Sequence, residues 1–274
     1  ATRPRAACPG GGGVSLNTAG VRRLRGEKWA ERLCTELQGP PAEADRWMQC
    51  NTELLKRDAH SCVGLLTLQG TGCYLKLYLH KSRWQRLALR LGWGRGISAF
   101  DRALKLRAAG VPVPEPRACL YLPEGLMLLT EALQGRDLKA LWQAGVDGER
   151  GAQLMRAAGN AVAGLHLAGF AHGDCKWRNL RGAQEGCYRA DLEAVRAPPL
   201  GSAATLRDLA RFTLNGEDLA LPLELYADFL EAYLGRTGLD PERVRKGVLT
   251  PLRELRRRHL ARYGERGHRL LGDS

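Results

Sequence analysis

No stretch of this 274-residue chain approaches about eighteen consecutive apolar residues, which excludes a helical membrane span. The first twenty residues carry Arg3 and Arg5 but no apolar central region, and they run into Gly10–Gly13, so a secretory signal is not expected. Eight cysteines (8, 34, 50, 62, 73, 119, 175 and 187) form no Cys-x-x-Cys pair and no His/Cys zinc spacing. Scattered through a chain this long, they are expected to be reduced thiols, not a disulfide framework. No RNA-binding aromatic signature, zinc finger or helix-turn-helix is present, which makes nucleic acid the weakest class of partner. Internal repeats are absent too.

What is present is ordinary globular material. Apolar residues make up 44% and charged residues 26%, enough for one large domain or two small lobes with a real core. Acidic residues are outnumbered, giving a net charge of +13 that would draw nucleic acid, an anionic membrane face or a phosphorylated substrate. A coding bias toward Arg and Ala would give the same excess.

The Gly/Ala-rich residues 1–20 are expected to be poorly ordered, and 21–50, with Trp29, Leu33, Leu37 and Trp47, to form a short helix or an extended lead-in. From Glu53 the pattern predicts a β-meander. Leu54–Arg57 and Val63–Leu68 are strands; after the hairpin Gln69–Gly72, Cys73–Leu79 alternates with Tyr74, Lys76 and Tyr78 opposite the leucines. A basic segment, Lys81–Arg95, precedes a predicted helix at 98–109, capped by Ser98 and stopped by Gly110. The proline-rich Val111–Pro116 must be extended, and two further strands follow at 118–122 and 126–130. Beyond 131 the chain is nearly all helical: a helix through Trp142 capped by Asp137, an apolar stripe from Leu154 to Ala168 closed by Gly169, then helices near 205–214, 222–235 and 241–263. The expected fold is α+β and two-lobed, with an extension over 1–50, a small β-rich N-lobe over 51–131 and a helical C-lobe with a basic tail over 132–274.

Between two predicted helices sits Ala171-His172-Gly173-Asp174-Cys175-Lys176-Trp177-Arg178-Asn179, and Ala190-Asp191-Leu192-Glu193 follows it. Phosphoryl transfer asks for a carboxylate to orient a hydroxyl and take its proton, for oxygen ligands to Mg²⁺, and for a cation near the moving phosphate. Asp174, the pair Asn179 and Asp191, and Lys176 are candidates for those roles.

His-x-Asp with Asn five residues on resembles the protein-kinase catalytic loop, in the His-Gly-Asp form seen in small-molecule kinases. The fuller resemblance is to the bacterial lipopolysaccharide core (heptose and Kdo) kinases. It is carried by Tyr74–Tyr78, Ala109–Pro116, Leu129–Glu131, His172–Asn179, Ala190–Arg196 and Leu206–Arg211, over about residues 53–235. It implies a two-lobed protein-kinase-like fold and an ATP-dependent kinase using Mg²⁺. It also implies that Lys76 contacts the α/β-phosphates and that Glu131 to Leu133 form the hinge against adenine. Asp208 would brace the catalytic loop; read as a bare helix residue it is a solvated partner of Arg207 or Arg211, and that reading is preferred. His172 and Cys175 are expected to be structural.

Three features depart from the pattern. The turn Arg57–Cys62 lacks Gly-x-Gly-x-x-Gly, leaving other backbone amides, or Arg57 and His60, to hold ATP; the metal motif is Asp-Leu-Glu; and Asp101 is the only carboxylate on the 98–109 helix that could meet Lys76. A non-catalytic, pseudokinase reading therefore stays open. With about fifteen residues between Asp191 and Leu206 and no Ala-Pro-Glu, a phosphorylation-switched loop is not expected. From Arg236 onward eleven Lys/Arg stand against five Asp/Glu. That balance suits an anionic glycolipid acceptor, the lipopolysaccharide core, better than a polycation. A cytoplasmic enzyme in peripheral contact with the inner membrane would follow; a kinase for another small molecule or for protein is the alternative.

Overall fold

The computed structural model describes residues 15–16, 20–36, 41–80, 82–146, 148–181, 187–264 and 268–272. Most of the 1–20 stretch expected to be poorly ordered lies outside these residues, as do Lys81 and, in the basic tail, Glu265, Arg266 and Asp273. The chain divides into two compact units, one of Ala1–Lys105 with Pro114–Ala132, the other of Leu106–Val113 with Leu133–Ser274.

The first unit is built on a six-stranded antiparallel sheet: β1 (Arg22–Arg25), β2 (Glu53–Asp58), β3 (Ser61–Leu68), β4 (Thr71–Leu79), β5 (Pro116–Tyr121) and β6 (Gly125–Glu131). Its order is β1-β5-β6-β4-β3-β2. The meander and the two later strands stand where the sequence pattern put them, within two residues. The edge strand β1 was not anticipated, because Arg22-Arg23-Leu24-Arg25 has almost no apolar content to mark a strand. One face of the sheet is covered by α1 (Glu27–Glu36) and α2 (Ala44–Asn51), whose Ala30, Leu33, Trp47 and Met48 pack with Leu75, Leu77, Leu120 and Met127. The other face receives α3 (Arg83–Arg90) and α4 (Arg95–Ala108), through Leu89, Ile97 and Phe100 against Cys119 and Leu126.

The helix expected at 98–109 starts three residues earlier, so Ser98 lies inside it, its N–H donating to Gly94 O at 2.9 Å. The unassigned basic segment is instead a helix, α3, whose start is set by the Ser82 hydroxyl accepting from Gln85 N–H at 3.2 Å.

The second unit is helical: α5 (Leu138–Gln143), α6 (Gly148–Leu167), α7 (Ala203–Asp218), α8 (Leu223–Thr237) and α9 (Pro241–Tyr263), with one short hairpin, β7 (Leu180–Arg181) and β8 (Tyr188–Arg189). Asp137 caps α5 through Ala140 N–H at 2.9 Å. The core runs from Met155 and Val162 of α6 through Trp177 to Phe212 of α7 and Phe229 of α8, with the two phenyl rings stacked at 3.8 Å.

The thiol reading holds for six cysteines (34, 62, 73, 119, 175 and 187), which are free, and is corrected at Cys50, which is disulfide-bonded.

Candidate active site

In the first unit, Lys76 sits at the centre of β4 between Val63 of β3 and Leu128 of β6. Leu75 and Leu77 are fully buried while Lys76 is half-buried, its Nζ 4.9 Å from the Tyr78 ring centre. Asp101 is held by Arg25, with Nε to Oδ1 at 2.9 Å and Nη2 to Oδ2 at 3.3 Å. Arg57 is likewise engaged by Asp45 of α2, at 3.2 and 2.5 Å. The neighbouring turn, lacking glycines, is held by Asp58, which accepts from His60 N–H and from the Ser61 hydroxyl, each at 2.9 Å. Those bonds bring its carboxyl down to about 2. Glu131 closes the end of β6: its N–H donates to Glu115 O at 2.9 Å and its carboxylate accepts from Glu115 N–H at 3.1 Å. Leu133 opens the second unit.

In the second unit the site is assembled by main-chain clamps. Ala171 and Arg196 exchange two hydrogen bonds, at 2.9 and 3.0 Å, which bring the segment before Asp174 beside the segment after Asp191. Gly173 has φ +77°, and a Cβ there would lie 2.3 Å from Ala194 O, so only glycine lets the two segments approach this closely. Lys176 N–H donates to Asp174 O and Asn179 N–H to Lys176 O, both at 2.8 Å, closing the loop into a 3₁₀ turn over Trp177–Asn179. Trp177 anchors that turn. It is fully buried, with its indole N–H on Phe212 O and its main-chain N–H on the Asn215 side chain, both at 3.2 Å.

The Asp174 carboxylate is partly exposed and lies between two cations. Lys176 Nζ is 2.9 Å from Oδ1 and 3.1 Å from Oδ2, and Arg211 Nε is 3.7 Å from Oδ1. Asn179 donates its side-chain N–H to Asp174 O at 2.9 Å, which leaves its amide oxygen as an acceptor. The main-chain oxygen of Asn179 takes Ala190 N–H at 2.9 Å, so Asp191 follows directly on a residue bonded to Asn179. Asp191 has left-handed backbone angles, φ 59° and ψ 66°, which aspartate tolerates better than most residues.

Asp208 is the largest difference from expectation. The solvated reading is corrected: its carboxylate is fully buried and accepts from His172 N–H at 2.5 Å and Gly173 N–H at 2.9 Å. Arg207 pairs instead with Glu254 at 3.2 Å, and Arg211 faces Asp174. The signal was available, since Thr205, Asp208, Leu209 and Phe212 share the buried face of α7 at helical spacing. His172 is fully buried. Its Nδ1 is 3.3 Å from Asp174 N–H and its Nε2 is 3.0 Å from Ala190 O, which requires the proton on Nε2. Burial lowers its pKa, so the ring is a neutral strut. Burial also pushes the Cys175 thiol well above its ordinary range, which suits packing and not reactivity.

Arg189 escaped sequence reasoning altogether. Its buried guanidinium donates to Pro112 O at 3.2 Å and to Ala161 O, binding the Leu106–Val113 segment to α6 and β8. Nothing in the sequence marks a charged side chain as one that will end on main-chain carbonyls.

Among the described residues no cluster of three or more His, Cys, Asp or Glu could hold a metal by itself. Mg²⁺ does not need one, since it is commonly bound by one or two carboxylates with phosphate oxygens and water making up the rest. The Asp191 carboxylate and the Asn179 amide oxygen are hard donors of the right kind and fit that requirement. The arrangement therefore combines a carboxylate able to take a hydroxyl proton, a lysine beside it, and two oxygen donors fixed to the same loop.

A family model described as "Lipopolysaccharide kinase (Kdo/WaaP) family" matches residues 45–233. The chain belongs to this kinase family. No curated protein matches it. Among solved structures it is similar to an aminoglycoside phosphotransferase from Streptomyces rimosus, at 16% identity and TM-score 0.49, over 73% of this chain and 92% of that one. It is also similar to the BubR1 kinase domain, at 14% identity and TM-score 0.40, over 53% of this chain. The chain spans 46% of that BubR1 chain. The assignment rests on the family match and not on these two likenesses.

Proposed function

We propose that the protein is an ATP-dependent phosphotransferase that phosphorylates a sugar hydroxyl of the lipopolysaccharide inner core. Asp174 orients the acceptor hydroxyl and takes its proton as the oxygen bonds to the γ-phosphorus and the bond to the ADP oxygen breaks. Lys176, now on Asp174, exchanges that carboxylate for the incoming phosphate. Asn179 and Asp191 would hold Mg²⁺, which supplies charge neutralisation at the phosphates. Lys76 is the candidate for the α/β-phosphates, Arg57 for a further phosphate contact, and the Glu131–Leu133 main chain for adenine.

The observation that carries the reading is Asn179. It bonds Asp174 through its side chain and Ala190 through its backbone, so proton acceptor and oxygen donors are tied into one frame. The basic tail supports an anionic glycolipid met at the cytoplasmic face of the inner membrane, and no helix of the described chain is long and apolar enough to cross a membrane.

The test is mass spectrometry of dephosphorylated lipopolysaccharide core incubated with Mg-ATP and either wild type or Asp174→Asn. A phosphate-sized gain with wild type alone is expected. No gain in a preparation that still binds Mg-ATP would move the reading to another acceptor, and absence of nucleotide binding would favour a non-catalytic binding protein.

A further inference from the structure

Helix α3 and the turn after it carry two apolar faces, and among the described residues only one of them is buried. Leu89 is buried in the first unit's core, with Ile97 and Phe100. Trp84, Leu87, Leu91 and Trp93 are 79%, 47%, 61% and 71% exposed, although each is a large apolar side chain. At ~100° per residue, Trp84, Leu87 and Leu91 fall within about 60° of one another, on the side of the helix away from Leu89. Trp93 extends the patch past the helix end, where its N–H donates to Ala88 O at 2.8 Å and fixes the turn. Arg83, Arg86 and Arg90 occupy the arc between the exposed apolar face and Leu89, and Arg95 begins the next helix. From Lys81 to Arg95 there are five cations and no acidic residue.

Scattered surface leucines need no explanation, but four large exposed apolar groups within ten residues, two of them tryptophan, do. The occupant can be chosen by chemistry. A second copy of the chain would bring the same cations against themselves. A bilayer surface satisfies every part: tryptophan settles at the headgroup level, leucine enters the acyl boundary, and arginine reaches anionic headgroups while its stem stays on the apolar face. We infer that α3 and the Trp93 turn form a membrane-docking face that inserts Trp84, Leu87, Leu91 and Trp93 into an anionic lipid surface. This deepens the membrane contact proposed above by moving the anchor from the basic tail to the first unit.

The test is sedimentation with vesicles of phosphatidylglycerol and phosphatidylethanolamine, against phosphatidylcholine alone, using the full chain without ATP. Wild type should partition to the anionic vesicles with a blue shift of tryptophan emission. The Trp84→Ala/Trp93→Ala variant should lose about ten-fold or more of that partitioning at unchanged circular dichroism, since both side chains are exposed. Arg83→Gln/Arg86→Gln should weaken binding and flatten its salt dependence. Asp174→Asn should bind as wild type does, which separates this inference from the acceptor reading. Binding that survives the tryptophan substitutions, or no vesicle binding by wild type, would overturn the inference. So would a dimer in solution that those substitutions dissolve.

Discussion

Asp208 offers the sharpest test of how the His172–Asn179 loop is held. Its carboxylate accepts two main-chain N–H groups, of His172 and Gly173, in a fully buried position. Asp208→Ala removes both acceptors and leaves two amides with no partner. Each stranded buried donor costs about 1–3 kcal/mol, so the loss should be about 4 kcal/mol. Asp208→Asn keeps one acceptor oxygen but turns an NH₂ group toward the other amide, and should cost about 1–3 kcal/mol. The order is therefore wild type, then Asn, then Ala, read from urea midpoints at constant slope. Asp208→Asn should also lower kcat, because Asp174 lies two residues from His172 and a shift of about 1 Å costs on the order of a hundred-fold. Two substitutions both within about 0.5 kcal/mol of wild type would refute the brace, since that is what a solvated surface carboxylate gives.

Two further outcomes follow from neighbouring residues. Gly173→Ala forces a Cβ to 2.3 Å from Ala194 O at φ +77°, so stability should fall by about 2–4 kcal/mol, measurable by the same unfolding assay, with activity lost along with it. His172 is neutral in the fold because burial lowers its pKa below the ordinary 6.5, against partial opposition from Asp208, Asp174 and Asp191. The unfolded chain binds that proton first as pH falls, so stability should decline below about pH 6.5; His172→Gln should flatten the decline in a stability-versus-pH series. A smaller slope should remain from His80, whose pKa burial also lowers.

The sheet, the helical second unit and the loop residues were legible because each obeys a local rule. Alternation marks β4, a stripe at helical spacing marks α6, and chemistry at fixed spacing makes Asp174, Lys176, Asn179 and Asp191 the candidates for the site. What was missed is non-local or runs through the main chain. β1 is a strand only because β5 offers it a partner, and three arginines in four residues hide it. The engagement of Arg57 by Asp45 and of Asp101 by Arg25 joins residues that no sequence rule pairs. Asp208 was misjudged because nearby arginines offered an easy surface partner, while the buried face it shares with Leu209 and Phe212 carried the better information.

The link from Arg189 to Pro112 also has a consequence for how the chain is made. The second unit takes in Leu106–Val113, yet the first unit still needs Pro114–Ala132 to complete its sheet. During synthesis the early segment emerges 77 residues ahead of the arginine that binds it. At about 5–20 residues per second that is a wait on the order of ten seconds. The first unit can finish its sheet in that interval, while Val111 and Val113, buried in the finished fold, stay uncovered. A nascent chain paused between Ala132 and Arg189 would thus carry one finished sheet and a short apolar stretch suited to chaperone capture.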